Sequence, residues 1–321
     1  MTVFQTREYR EAYAQIFGRG KHFHALDVPG AQIWLQTRGK TARRVEFWGQ
    51  NIADCGGAHF ENSAAAPVLW EEIEKLTARC HGAQLLQIQA DSPLIACAQN
   101  AGWTLTDAET CPVLEFPATF DEYVKSLGKN MREQMRRYPK RLEKQFHVEY
   151  ELAQTPEQVE TALGDLFQLH GKRWRARGQT GVLALPKRQK FHRLVCEKFL
   201  ANDWLRLWTL RCDGKSACVL LCYFWGGKYW FFIGGFEPEL MRWSVGTCLF
   251  ARVFQTAIEE GAKEFDFLRG AEEYKYRYGA TDRAYQSLSF FAATPRGRML
   301  ERRAQLENWF MARLHEKFGA A

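Results

Sequence analysis

Hydrophobic positions along this chain follow two periods, and the switches between them outline its elements. "AQIWLQTR" (31–38) and "RRVEFWG" (43–49) read as strands on either side of the turn "GKTA". In "APVLWEEIEKLTARC" (66–80), Val68, Leu69, Ile73 and Leu76 fall near the 3.6-residue repeat of a helix. "AQLLQIQA" reads as a strand, "SPLIACAQNAG" as a short helix ended by Gly102, and "CPVLEF" as another strand. The segment from Thr119 to Gln145 opens with a capping box, Thr119 with Glu122 three positions on. It then crowds with Lys and Arg, and Pro139 is expected to kink or break its helix.

The alternation then repeats. "HVEYELA" predicts a strand, and "TPEQVETALGDLFQLHGKRW" a long helix capped by Thr155 with Gln158. "PKRQKFHRLVCEKFLAN" predicts a further helix. "LRLWTLRCDG", "KSACVLLCYFW" and "KYWFFIGGF" predict three strands in an antiparallel meander, because the turns "CDGK" and "WGGK" carry hairpin residues. A loop, an amphipathic helix and a strand follow in residues 239–268, then the strand "AYQSLSFFAAT" and a basic amphipathic helix. At 321 residues the chain exceeds the usual size of one core, about 250–300 residues, so two lobes are expected. They are placed at 1–146, ending in the basic linker helix, and at 147–321. The fold class expected is α/β (α+β): tandem lobes, each a mixed, mostly antiparallel sheet flanked by helices.

Composition narrows the function. The net charge of +7 suits an anionic partner: a phosphorylated cofactor, nucleic acid or a membrane face. Nine scattered cysteines without a CxxC pair form neither a disulfide framework nor a zinc ribbon, and read as reduced thiols of a cytoplasmic protein. The N-terminus lacks the pattern of a secretory signal, and the longest apolar runs are too short to span a bilayer as helices. "HFH" (22–24) lacks a partner carboxylate at ligand spacing, so no metal is expected. Aromatic residues sit in strands with core-like patterning rather than between basic residues, which argues against a generic nucleic-acid module. The last helix places Leu300, Leu306, Trp309, Phe310, Leu314 and Phe318 near one side, flanked by Arg302, Arg303, Arg313 and Lys317. It either docks on the protein or touches an anionic membrane.

Candidate chemistry gathers late in the chain. "RWSVGTCLF" (242–250) reads as a glycine-containing turn opening a helix, whose free N–H groups and macrodipole favour anions. "FDFLRGAEEYKYRYGATDR" (265–283) begins as a buried strand, breaks at Gly270 and then collects polar tips beyond what packing requires. The first stretch resembles the pyrophosphate turn of the GNAT acyltransferases, with the glycine spacing one residue off. Five segments in order, "WGQNIAD" (48–54), "NMREQMRRYPKRLEK" (130–144), "LHGKRWRARG" (169–178), "SVG" (244–246) and "DFLRGAEEYK" (266–275), resemble the CelD-like branch of that superfamily. That branch is related in architecture to the Fem-type aminoacyl transferases. Val245 stands where the family usually has proline.

The resemblance implies an acyltransferase moving an acetyl or other acyl group from CoA to an amine or hydroxyl of a sugar or envelope-polysaccharide precursor. It implies that acyl-CoA slots between the strands "KYWFFIGGF" and "KEFDFL", with Arg242, Ser244, Val245, Gly246 and Thr247 around its pyrophosphate. Asp266 is the expected acceptor-positioning group or base, with Glu273 and Glu237 as rivals, unless it only caps the strand end. Tyr274, a phenol of ordinary pKa about 10, is the expected proton donor to the thiolate. Lys275, with Arg277, is expected to hold an anionic acceptor or the CoA phosphates. His170, Arg173 and Trp174 are placed at an acceptor cleft, with a purely structural His170 as the competing reading. Arg269 joins them as a substrate-binding candidate. Two other readings stay open: a transferase using charged tRNA gripped by the basic helix, though no arm long enough for a Fem-type coiled coil is seen, and an inactive scaffold in a polysaccharide-synthesis complex.

Overall fold

The computed structural model describes residues 1–50, 52–176 and 178–318, with the side chains of all of these except 176 and 308–318. In chain order the elements are α1 (Arg7–Phe17), β1 (Lys21–Val28), β2 (Ala31–Arg38), β3 (Arg44–Phe47), β4 (His59–Phe60), α2 (Ala66–Thr77), β5 (Gly82–Gln89), α3 (Pro93–Asn100) and β6 (Thr104–Asp107). Next come β7 (Cys111–Glu115), α4 (Phe120–Ser126), α5 (Lys129–Glu143), β8 (Val148–Leu152), α6 (Pro156–Ala176) and α7 (Pro186–Ala201). The chain continues with β9 (Leu205–Cys212), β10 (Lys215–Trp225), β11 (Lys228–Phe236), α8 (Val245–Glu259), β12 (Glu264–Asp266) and α9 (Glu273–Arg277). It ends with β13 (Thr281–Arg283), β14 (Tyr285–Phe291) and α10 (Pro295–Phe318).

Two units result. The first comprises Met1–Cys111, Arg269–Glu273 and Asp282–Ala321, and the second Pro112–Leu268 and Tyr274–Thr281. In the first unit the sheet runs β1-β2-β3-β5-β14-β6, with β4 on β2. Its core is built on Ile33, Leu35, Val45, Leu85 and Leu288 from the strands and Leu69, Trp70 and Ile73 from α2. The strand "AYQSLSFFAAT", expected in the second lobe, is β14, which lies antiparallel between β5 and β6 of this first sheet. A strand's lateral partners depend on the return path of the chain, which periodicity does not encode. The side chains of Trp309, Phe310, Arg313, Leu314, Lys317 and Phe318 lie outside the described residues, so the face proposed for the last helix is seen only from Leu300, buried, and Leu306, exposed.

The second unit's sheet runs β7-β12-β11-β10-β9-β8. The predicted meander is present: β9, β10 and β11 pair antiparallel. Its tight turns place Asp213 and Gly214, and then Gly226 and Gly227, at positive φ, which suits the right-handed twist of the flanking strands. The capping boxes at Thr119 and Thr155 also form. The cut at 146/147 falls inside this unit, because Met131, Met135 and Leu142 of α5 share a core with Val245, Leu249 and Val253 of α8. Pro139 does not break α5, which runs from Lys129 to Glu143 around it. The break lies earlier, at Leu127 and Gly128, whose extended backbone separates α4 from α5.

Helix α6 lies so close to β11 that a Cβ at Gly235 would stand 2.7 Å from the backbone nitrogen of His170. Gly164, exposed on the same helix, has open space where a Cβ would stand. Gly235→Ala is therefore expected to destabilise the protein by about 1–3 kcal/mol through overpacking. Gly164→Ala is expected to stabilise it by up to about 1 kcal/mol through helix propensity. Urea denaturation midpoints should move in opposite directions for the two variants.

Candidate functional site

Strand β12 is only three residues long and pairs parallel with β11 through Lys228–Glu264, Tyr229–Phe265 and Trp230–Asp266. On its other edge it pairs with β7, and the Phe267 N–H donates to the Pro112 carbonyl, so the chain follows β7 away from β11. Strand β11 continues alone on that side to Phe236. The two strands thus part after Trp230, leaving one edge of Phe231–Phe236 without a neighbour from β12. Within that stretch the register against β10 shifts between Leu221 and Cys222, making Phe232 the extra residue of a β-bulge, which re-aims backbone groups locally. Neither the bulge nor the close approach at Gly235 was anticipated, although the glycine pair in "FFIGGF" was the available signal.

The start of α8 belongs to the same unit. Ser244 occupies the cap position in the left-handed region (φ 55, ψ 39) and makes no side-chain capping bond, a conformation that costs a non-glycine residue about 1–2 kcal/mol. The first intrahelical bond runs from the Cys248 N–H to the Ser244 carbonyl, so the N–H groups of Val245, Gly246 and Thr247 have no acceptor within the helix. Val245 is buried and anchors the turn, while a Cβ at Gly246 would meet open space. Arg242 is exposed; its guanidinium and that of Arg141 lie over the Trp243 ring at 5.5 and 4.7 Å, and Arg141 also donates to the Arg242 carbonyl.

The "DFL…EEYKY" segment packs against this turn. The Tyr278 hydroxyl donates to Thr247 Oγ1 at 3.3 Å, and the Tyr274 ring lies 6.1 Å from Phe250, one helical turn beyond Gly246. Asp266 is fully buried, and its Oδ1 accepts the Leu268 N–H at 2.8 Å, holding a turn in which Leu268 takes φ 57. Lys275 is buried as well, and its Nζ donates to the Leu268 carbonyl at 3.3 Å. These two candidates therefore brace the point where β12 ends. Arg277 is exposed. Glu273 and Arg269 belong to the first unit, where Glu273 is exposed and Arg269 forms an ion pair with Asp54 at 3.1 Å.

The remaining candidates lie along the C-terminal half of β11. The Arg173 guanidinium sits 5.5 Å from the Phe236 ring centroid, and Lys172 pairs with Glu237 at 2.5 Å. His170 is buried, and its Nε2 accepts the Trp174 indole N–H at 2.8 Å. That bond places the proton of the neutral ring on Nδ1. Burial, helped by the Arg173 charge, pushes the His170 pKa down to about 4. The neighbouring His192, buried on α7 against Phe232, is pushed down to about 3, first by burial and then by Arg188 and His170.

Residues 129–276 match a family model described as an acetyltransferase (GNAT) domain. No curated protein matches the sequence. Among solved structures, FemX is similar over 94% of each chain at 11% identity with a TM-score of 0.71. L-PGS from Bacillus licheniformis is similar over 96% of this chain and 97% of its own at 15% identity, with a TM-score of 0.64. The C-terminal domain of a putative lysylphosphatidylglycerol synthetase from Agrobacterium fabrum covers 86% of each chain at 14% identity, with a TM-score of 0.57. At these identities the likeness is one of fold. Residues 129–276 are thus similar to an acetyltransferase (GNAT) domain, and the chain has a tandem GNAT-like fold. Among the described residues no helix is long and apolar enough to cross a membrane, and no cluster of metal-ligating side chains occurs.

The two histidines set an acid limit on stability. Their folded pKa values lie below the ordinary 6.5, so the unfolded chain binds more protons between pH 6.5 and about 3. Their contribution is complete above pH 6.5 and is lost as pH falls through that window. The thermal midpoint should fall between pH 6.5 and 4, and His192→Phe should flatten that slope.

Proposed function

We propose that this protein is an acyl-CoA-dependent acyltransferase of the CelD-like kind, transferring an acetyl group to an amine or hydroxyl of a sugar or envelope-polysaccharide precursor. The observation that carries this reading is the parting of β11 and β12 after three residue pairs, in the same unit as the open first turn of α8. Free N–H groups at a helix start favour phosphate, and the space above Gly246 leaves the backbone of 245–247 approachable. Arg242, Ser244, Val245, Gly246 and Thr247 would hold the pyrophosphate. Acetyl-CoA would supply the activated acyl group.

The edge of β11 between Phe231 and Phe236 would orient the thioester through backbone groups at the bulge. Tyr274 is the assigned proton donor to the departing thiolate, because it stands against the second turn of α8. Asp266 and Lys275 hold the turn at Leu268 and so position Tyr274 rather than meet the acceptor. Glu237, partly exposed and paired with Lys172, remains the candidate base within this unit; Glu273 belongs to the first unit. Arg173, Trp174 and Arg277 would line the acceptor side, with neutral His170 fixing the α6 end of it. Arg269, engaged with Asp54, is assigned a structural role in its own unit.

The likeness to FemX favours one second reading, an aminoacyl transferase using charged tRNA. Arg136, Arg137, Lys140 and Arg141 are exposed on α5, yet Arg136 and Arg137 already face Asp121 and Glu133, which weakens their hold on phosphate. Calorimetric titration separates the two. Acetyl-CoA should bind wild-type protein saturably, and Gly246→Trp should weaken binding at least tenfold while Gly164→Ala leaves it unchanged. No acyl-CoA binding by folded protein, together with RNA binding that falls steeply with salt and is lost in Arg136→Glu/Arg137→Glu, would put the tRNA reading first.

A further inference from the structure

The net positive charge of the chain has a local source. Between Asp165 and Glu197 the sequence contains eight Lys and Arg and no Asp or Glu, whereas the whole chain has 44 against 37, so the rest is close to neutral. This stretch runs through the second half of α6, a loop with the 3₁₀ turn Val182–Ala184, and most of α7, all within the second unit. Two of its cations are matched locally, Lys172 by Glu237 and Arg193 by Glu160 at 2.9 Å. Arg175, Arg188 and Lys190 take part in no ion pair among the described residues. Arg175, Lys187 and Lys190 are exposed. Lys187 and Arg188 lie in the first turn of α7, which holds no acid and has no side-chain cap, and Lys190 follows directly. Cations at a helix start oppose the macrodipole, so the helix itself gains nothing from having them there.

The same loop presents aliphatic side chains to solvent. Val182 is 49% exposed and Leu185 57%. Val182 opens the 3₁₀ turn and Leu185 follows it; residues three apart in such a turn stand one above the other, so the two share a face, beside the exposed Pro186 and Lys187. The turn is held in place, since Leu183 is buried and its carbonyl accepts the Gln189 amide at 2.8 Å. Gly181 packs so closely on α6 that a Cβ would stand 2.5 Å from Trp174 Cδ1 and 2.7 Å from His170 Nδ1. Aliphatic tips flanked by Lys and Arg suit a lipid interface, where the apolar groups enter the acyl boundary and the cations meet anionic headgroups. A single-stranded nucleic acid would need aromatic faces for its bases, and residues 178–190 contain no aromatic side chain. Among the described residues no helix is long and apolar enough to cross a membrane, so the contact would be made at the surface.

We propose that this loop and the start of α7 dock the second unit on an anionic lipid bilayer, with Val182 and Leu185 entering the interface and Arg175, Lys187, Arg188 and Lys190 meeting the headgroups. The contact is independent of the acyl-transfer reading, and Arg173 and Trp174, assigned above to the acceptor side, take no part in it. The test is co-sedimentation of the full-length protein with vesicles of phosphatidylcholine alone or mixed with phosphatidylglycerol in equal parts. Wild-type protein should sediment with the mixed vesicles and stay in solution with phosphatidylcholine alone. Lys187→Glu/Lys190→Glu should weaken binding at least about tenfold, and Val182→Ser/Leu185→Ser at least about threefold. Thermal midpoints should not change, because all four side chains are exposed. Arg302→Glu/Arg303→Glu on α10 should bind as wild type does. Folded wild-type protein that ignores the mixed vesicles, or either loop variant binding them as tightly as wild type, overturns the proposal. So does vesicle binding that only the α10 variant loses. RNA binding that the loop variants lose while vesicle binding persists would overturn it in favour of a nucleic-acid surface.

Discussion

The second unit depends on one constraint: β12 pairs with β11 for three residues and then leaves with β7. A strand pairs with each neighbour along one edge, so a strand that turns away exposes that edge of its former neighbour over the rest of its length. The departure is held at Leu268, whose positive φ is stabilised by Asp266 accepting its N–H and by Lys275 donating to its carbonyl. An aspartate and a lysine, both buried, are an expensive way to hold a turn unless they are hydrogen-bonded. Their presence in "DFLRGAEEYK" therefore reports the geometry of the strand end before it reports any proton transfer.

Around that turn the core is unusually aromatic. Phe265 and Phe267 meet Phe250 and Phe254 of α8, and Tyr274 and Tyr278 close the cluster from the far side. Rings with few rotamers pack rigidly, and edge-to-face pairs add about 0.5–1.5 kcal/mol beyond burial. The cluster thereby ties the first turn of α8 to the segment that ends β12, and Tyr278 completes the tie through its bond to Thr247. A helix start is a useful anion cradle only when its position is fixed, and here it is fixed by packing while Gly246 keeps it open.

Much of this was legible in the sequence, because it is local. The meander, its glycine turns, the capping boxes at Thr119 and Thr155 and the helix beginning at Val245 all follow from period and turn chemistry. Pairing across long sequence separations was not legible. Nothing in "AYQSLSFFAAT" states that it lies between β5 and β6, and so the lobe boundary was misplaced. Burial of individual polar groups was likewise hidden. His170 and Lys275 read as site residues from their types, whereas their depth is set by α6 lying on β11 and by the turn at Leu268.

The most direct test of the central claim is amide hydrogen exchange with and without acetyl-CoA. The account predicts protection confined to peptides covering residues 231–236 on the open edge of β11 and 244–248 at the start of α8. Acetyl-CoA that binds but protects other segments, leaving both of these exchanging as before, would contradict it.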